Sequence, residues 1–302
     1  LAQELGRTPT KDEFCGHVKD ADRALRKFYS RRYSDLLLAA GLDLNPHTKP
    51  RITNEIFRKD IEKHLEDYKP KEIQRSKQYP KILIVGDIHF PFHHIKCLEA
   101  IHEFAKETQP DYIVQIGDLY DCYSHSRFPK SSSIFTPLEE EKMARSLASK
   151  MWKMFRLDCL NAKLVQILGN HDVRGIKSVI SQMPQIEHWV EEYFKNLMSF
   201  EGVETILDPR EEYKIEDIIF THGHLTKLGD HRDYYLNNLV VGHSHTGGVV
   251  FKQIHEKVLW EINSGFVGDS CSKGLSYSAT RTVKWTLGWG FIDSYGPRFI
   301  PY

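Results

Sequence analysis

The sequence predicts an α/β protein: two packed β-sheets flanked by helices, preceded by a small all-helical segment. Three observations predict it. Short apolar runs (Lys81–Val85, Tyr112–Ile116, Leu164–Leu168) alternate with helix-like stretches, the pattern of βαβ units in a largely parallel sheet. After about Val203 the long helices give way to strand-like runs separated by turns, which predicts a second, more antiparallel sheet packed on the first. Before residue 80, helical spacing interrupted by Gly and Pro predicts short helices.

Three stretches follow in order: a small helical segment over 1–46, a helical linker over 47–80, and a main domain over 81–302. In the first, the chain from Gly6 to Thr10 breaks a helix, and Thr10 with Glu13 has capping-box spacing to open another. A third helix near Ser34–Ala40 ends at Gly41, a C-terminal cap. Asn45-Pro46 and Pro50 mark the linker, where Asn54 opens a helix carrying Ile56, Phe57, Ile61, Leu65 and Tyr68 until Pro70 ends it. In the main domain, Ile95–Glu107 is the first crossover helix. Thr136-Pro137 opens the second, with Glu139 in capping-box position and Leu138, Leu147, Met151 and Phe155 along it. The later strand-like runs are Val203–Leu207, Tyr213–Phe220, Leu239–Val241, Val249–Ile254, Val258–Ile262 and Thr282–Ile292. Tyr277, Trp285, Trp289 and Phe291 make the C-terminal part aromatic. Core packing is the favoured reading there, and stacking on bases the alternative.

Composition narrows the class. The 302 residues are 40% hydrophobic and 27% charged, ordinary for a globular protein. No apolar run approaches the roughly 20 residues that cross a bilayer, so no membrane partner is expected. Five scattered cysteines without a Cys-x-x-Cys pair point to free thiols in a reducing compartment, hence a cytoplasmic protein. Net charge is zero but uneven: residues 1–80 hold 17 Lys/Arg against 13 Asp/Glu, and the rest carry the opposite excess. A mildly basic N-terminal part suits either nucleic-acid contact or a plain solvated surface.

The chemistry lies in five motifs: Asp87-Ile88-His89, Gly117-Asp118-Leu119-Tyr120-Asp121, Gly169-Asn170-His171-Asp172, Thr221-His222-Gly223-His224 and Gly242-His243-Ser244-His245. Each follows a strand-like run, and in parallel sheets sites form at the carboxyl ends of strands. Asp87 and His89, two apart, leave one face of the chain as co-ligands of one metal. Asp118 offers a carboxylate able to bridge two cations, Asn170 a neutral amide oxygen, and His222, His243 and His245 imidazoles from later loops. Two divalent cations balanced by Asp87, Asp118 and a hydroxide leave a net charge of about +1 to attract a phosphate. A mixed His, carboxylate and amide set suits Mn, Fe, Zn or Ni and does not choose among them; two divalent ions are expected, Mn first.

These ordered motifs resemble those of the calcineurin-like metallophosphoesterase superfamily over about residues 81–270. The strings Asp87-Ile88-His89-Phe90-Pro91 and Gly117 to Ser124 are most similar to its bacterial and bacteriophage branch. The resemblance implies a four-layer αββα sandwich. It implies one metal held by Asp87, His89, Asp118 and His245, and a second by Asp118, Asn170, His222 and His243. It makes a metal-bridging hydroxide the nucleophile and His171 the acid that protonates the leaving oxygen, with Asp172 expected to orient His171.

Neighbouring residues are candidates for substrate contact. His93, Arg127 and Arg174 follow metal motifs, and His224 lies two residues past His222; solvent exposure or structural pairing is the alternative for each. Cys122 reads as packing, and Asp121 as a supporting group rather than a ligand. Glu4 to Thr10, Arg26-Lys27-Phe28 and Tyr33 to Leu42 resemble a small helical repeat found attached to homing endonucleases. That resemblance implies DNA binding, with Arg23, Arg26, Lys27, Arg31 and Arg32 as phosphate contacts. A helical oligomerisation or lid element is the alternative. The resulting expectation is a two-metal phosphoesterase acting on a phosphate ester, first a phosphodiesterase or nuclease with DNA as partner. A phosphomonoesterase is the second reading, and a non-catalytic DNA-binding scaffold the third.

Overall fold

The computed structural model describes residues 1–18, 33–42, 79–126, 135–272, 274–275 and 284–302. The chain divides into two compact units, Leu1–Gln74 and Arg75–Tyr302. The linker helix expected from Asn54 and the basic residues Arg23, Arg26, Lys27, Arg31 and Arg32 lie outside the described residues, as does Arg127.

In the first unit, α1 (Ala2–Leu5) stops at Gly6, and α2 (Lys11–His17) opens on a complete capping box between Thr10 and Glu13. Helix α3 (Tyr33–Ala39) precedes Gly41, whose φ of 66° is the left-handed conformation of a helix C-terminus. Phe14 and Tyr33 pack with ring centroids 5.5 Å apart, and the Tyr33 hydroxyl donates to the Pro9 carbonyl at 3.0 Å.

The second unit has two sheets. The first orders its strands β11-β10-β1-β2-β3-β4, from β1 (Ile82–Val85), β2 (Tyr112–Ile116), β3 (Lys163–Ile167), β4 (Val203–Ile206), β10 (Gly288–Asp293) and β11 (Gly296–Pro301). β1 to β4 pair in parallel, and β10 and β11 add antiparallel. The second sheet, β5-β6-β7-β9-β8, uses β5 (Tyr213–Ile215), β6 (Ile218–Phe220), β7 (Asn238–Val241), β8 (Gly248–Ile254) and β9 (Lys257–Asn263). Strand alternation sorts the core. Ile82, Ile84, Val114, Ile116, Val165 and Ile167 face inward onto Ile215, Ile218, Phe220, Val240 and Ile262 of the second sheet. Leu83, Val85 and Ile113 point the other way, onto Ile101 of α4 (Ile95–Thr108) and Trp152 and Phe155 of α5 (Pro137–Asp158). Tyr235 of α8 (Asp230–Tyr235) packs on Ile219, Leu239 and Val241 behind the second sheet. The layers are helix, sheet, sheet and helix, as expected.

Several details differ from the sequence reading. Val203–Leu207 was expected in the second sheet, but β4 extends the first, parallel to β3. Tyr213–Phe220 is a hairpin, because Glu216 takes a φ of 54° and reverses the chain. The second sheet is mixed: β6–β7 and β7–β9 are parallel. The C-terminal run starts at Gly288 and returns to the first sheet beside β1. Trp289 and Phe291 are buried there, and Leu138 on α5 is exposed. Helices α6 (Arg174–Gln182) and α7 (Glu187–Met198) had no sequence counterpart. No helix among the described residues is long and apolar enough to cross a membrane.

Candidate metal centre

All five motifs emerge where parallel strands end. Asp87 follows β1, Asp118 follows β2, Asn170 follows β3, His222 follows β6 and His243 follows β7. Two sheets thus aim their carboxyl ends at one point. The chain reaches it under strain. Asp87, His89, Asp118, His243 and His245 all have positive φ, between 52° and 67°. Non-glycine residues adopt this conformation at a cost, and such residues gather where function fixes the backbone.

The motif glycines leave room for neighbouring motifs. A Cβ on Gly169 would lie 2.1 Å from Asp118 Oδ1 and 2.3 Å from its amide nitrogen. One on Gly117, whose φ is 99°, would lie 2.2 Å from His222 Nδ1. Gly169→Ala should therefore displace Asp118 and cost about 1–3 kcal/mol, read by thermal unfolding against wild type.

Two groups of side chains share Asp118. In the first, Asp87, His89, Asp118 and His245 place one donor atom each within 4.8 Å of one another. His245 Nε2 is 3.1 Å from Asp87 Oδ1 and 3.2 Å from His89 Nε2. In the second, His222 Nε2 is 3.3 Å from Asp118 Oδ2 and 3.2 Å from Asn170 Oδ1, and His243 Nδ1 is 2.8 Å from that same amide oxygen. The far side of each ring explains the near side. His89 Nδ1 faces Asp121 at 2.8 Å, and His222 Nδ1 faces the Ile116 carbonyl at 2.9 Å. Each Nδ1 therefore carries a proton, which leaves His222 Nε2 facing the Asp118 carboxylate and Asn170 amide oxygens and His89 Nε2 facing His245 Nε2. Carboxylate, amide and imidazole donor atoms converging on one point fit a cation, which would take the place of the proton on His222 Nε2.

The electrostatics agree. Burial disfavours charge on His222, yet Asp118 and Asp87 push it up to about 10. Burial would likewise raise Asp118, but His222 and His171 hold it well below the usual carboxylate range. The centre favours positive charge.

His171 stands beside the groups. Its Nε2 is 4.0 Å from Asp118 Oδ2, and its backbone N–H donates to Asp118 Oδ1 at 2.8 Å. Its Nδ1 faces Asp121 Oδ1 at 3.2 Å and the Asp121 carbonyl at 3.0 Å. Burial works against its charge, but Asp118 and Asp121 raise its pKa above the ordinary value. Asp172 does not orient it. The Asp172 carboxylate accepts the backbone N–H groups of Tyr120 and Gly169, both at 2.7 Å, and of Leu119 at 3.3 Å, so it stitches two motif loops together. Asp121 orients His171, and the same oxygen serves His89. That shared contact by itself accounts for the cluster of His89, Asp121 and His171.

Other candidates part company. The Arg174 guanidinium reaches the Asp121 carbonyl at 3.4 Å, beside His171. His93 packs against Phe90 at 4.7 Å and lines a groove between α4 and α5, away from the gathered carboxylates. His224 is exposed; its backbone N–H and that of Leu225 donate to His231 Nε2 at 2.9 and 3.0 Å. Sequence reading missed His231, whose only signal was proximity to the His222 motif. It holds that motif's loop from behind. Burial, with like charge from His224 and His243, pushes His231 down to about 4. Between that value and the unfolded 6.5, the unfolded chain binds a proton that the folded chain does not. Stability should therefore be full above pH 6.5 and fall by up to about 3 kcal/mol toward pH 4. Urea unfolding of His231→Gln should show a shallower loss across that window. Trp285 packs on the buried Phe92, Phe266 and Leu275, as expected of a core residue, and also edge-on against His245 at 4.6 Å.

Comparison with known proteins gives this geometry a family. The calcineurin-like phosphoesterase family model matches residues 80–286. The chain is similar to the Gene 54 protein of Mycobacterium phage D29, 29% identical over 247 residues, spanning 73% of this chain and 93% of that one. Its counterpart from Mycobacterium phage L5 is 28% identical over 243 residues, spanning 73% and 91%. Among solved structures, the Escherichia coli phosphoesterase Yfce is 18% identical with a TM-score of 0.36, covering 70% of this chain and 88% of that one. With the family model spanning both donor groups and His171, the chain belongs to the calcineurin-like phosphoesterase family and is a metal-dependent hydrolase of phosphate esters.

Proposed function

We propose that this chain hydrolyses phosphodiester bonds of nucleic acid at a two-cation centre. The observation that carries the reading is the pair of donor groups sharing Asp118. One cation belongs to Asp87, His89, Asp118 and His245, the other to Asp118, Asn170, His222 and His243. Manganese is the first metal to supply, although this mixed donor set suits Fe, Zn or Ni as well. When bound, the cations polarise the phosphoryl oxygens and make water a nucleophile at neutral pH.

The remaining work falls to the chain's own groups. Asp121 accepts the Nδ1 proton of His171, so His171 Nε2 holds the proton that the leaving oxygen takes. Asp118 and Asp121 favour the charged imidazolium that this step needs. Arg174, beside His171, grips a phosphate oxygen. Nucleic acid as substrate draws support from the separate helical unit, whose sequence resembles a DNA-associated repeat and carries Arg23, Arg26, Lys27, Arg31 and Arg32. The free cysteines suit a reducing, cytoplasmic setting.

The test offers the full chain with Mn²⁺ three substrates: bis-(p-nitrophenyl) phosphate, p-nitrophenyl phosphate and DNA. Faster turnover of the diester, with DNA cleaved, is expected. Preference for the monoester with DNA intact overturns the nuclease reading in favour of a phosphomonoesterase.

A further inference from the structure

A cavity of about 210 Å³ lies behind the catalytic loop, between α5, α6 and α7. Tyr120, Ala144, Asp172, Ile176, Val179 and Phe194 are among its walls. Close-packed interiors leave few voids larger than a water molecule, and an apolar void of about 150 Å³ accepts benzene. This void persists because its roof is thinly packed. Helix α6 has no buried residue, and α7 buries only Met198. The roof begins at Arg174, three residues past His171. Its floor includes Asp172, whose carboxylate ties Leu119, Tyr120 and Gly169 together.

The lining states what chemistry fits. Most of it is apolar, which suits a ring. The buried Tyr120 hydroxyl lies beside the Arg145 guanidinium. Glu140, Glu141 and Asp172 line the void, and among the described residues no lysine or arginine does. Arg145 on α5 spends its guanidinium on the carbonyls of Leu197 and Ser199. The three carboxylates disfavour a phosphate or carboxylate at the Glu141 end of the void. Glu141 meets the half-exposed Tyr193 hydroxyl at the rim, where a cation stays partly hydrated.

We propose that this cavity binds a small, flat aromatic molecule bearing an amino group, the ring in the void and the ammonium against Glu141. Its occupancy ties α6 to Tyr120 and Asp172 and so stiffens the loop that carries His171. The site is separate from the metal centre and takes no part in the hydrolysis itself, so its test reads binding alone.

Calorimetric titration of the full chain with tryptamine, indole and indole-3-acetate compares a cation, a neutral ring and an anion of one shape. Tryptamine should bind roughly fivefold more tightly than indole, as a rim ion pair supplies, with indole-3-acetate weakest. Glu141→Gln should bring tryptamine to the level of indole. Val179→Phe, placed on a helix with no buried residue, should fill the void, weaken tryptamine and indole at least roughly tenfold and raise the thermal midpoint of the ligand-free protein. Binding of none of the probes overturns the proposal. So does equal binding of all three, or binding indifferent to Val179→Phe.

Discussion

Asp118→Asn is expected to lose both metal and activity: kcat/KM should fall by roughly 10³-fold or more, and metal content should drop below one ion per chain. Asp118 stands in both donor groups, so one substitution weakens both sites. The asparagine keeps the shape and can still accept the His171 backbone N–H that Asp118 Oδ1 accepts at 2.8 Å, so the loop should survive. What disappears is one negative charge at a buried point that must balance two cations. Metal analysis and steady-state kinetics on one preparation give the answer. Two ions retained at a wild-type rate would remove Asp118 from its shared role.

His171→Ala should behave in the opposite way toward metal. His171 belongs to neither shared group, so two ions should remain while kcat on alkyl phosphodiesters falls roughly 10²- to 10⁴-fold. The loss should shrink sharply with p-nitrophenyl esters, because p-nitrophenolate leaves without a proton. Asp121→Asn should combine both effects, since its carboxylate oxygen serves His171 and His89 together. A 10- to 100-fold loss of metal affinity is the scale for such supporting groups. Equal losses on activated and unactivated esters in His171→Ala would mean that the imidazole positions substrate rather than donating a proton.

The candidate metal centre was legible in the sequence because its residues sit at one kind of place, just past the carboxyl end of a strand, and strands announce themselves as apolar runs. The partner of His171 was not legible. Asp172 is its neighbour in sequence, but the chain turns so that Asp172 faces the loop amides while Asp121 comes beneath the imidazole. Left-handed backbone at Asp118 and Cys122 makes that turn, and neither is a glycine, so no residue type signals it. The hairpin between β5 and β6 hid for the same reason, turning at Glu216. Strand order escaped too. Apolar alternation says which residues face a core, but β10 returns to β1 across most of the domain, and no local pattern encodes that pairing. Helices α6 and α7 went unread although their apolar residues fall on one face: α6 starts after Val173 and α7 after Ile186, neither of which caps a helix with its side chain, so no start signal marks them.

The central claim is that two cations share Asp118. Anomalous scattering from crystals grown with Mn²⁺, recorded at the manganese edge, tests it most directly. Two peaks about 3.5–4 Å apart are predicted, one on either side of the Asp118 carboxylate. One should touch Asp87, His89 and His245, the other Asn170, His222 and His243. A single peak, or a peak between His89, Asp121 and His171, would contradict the account.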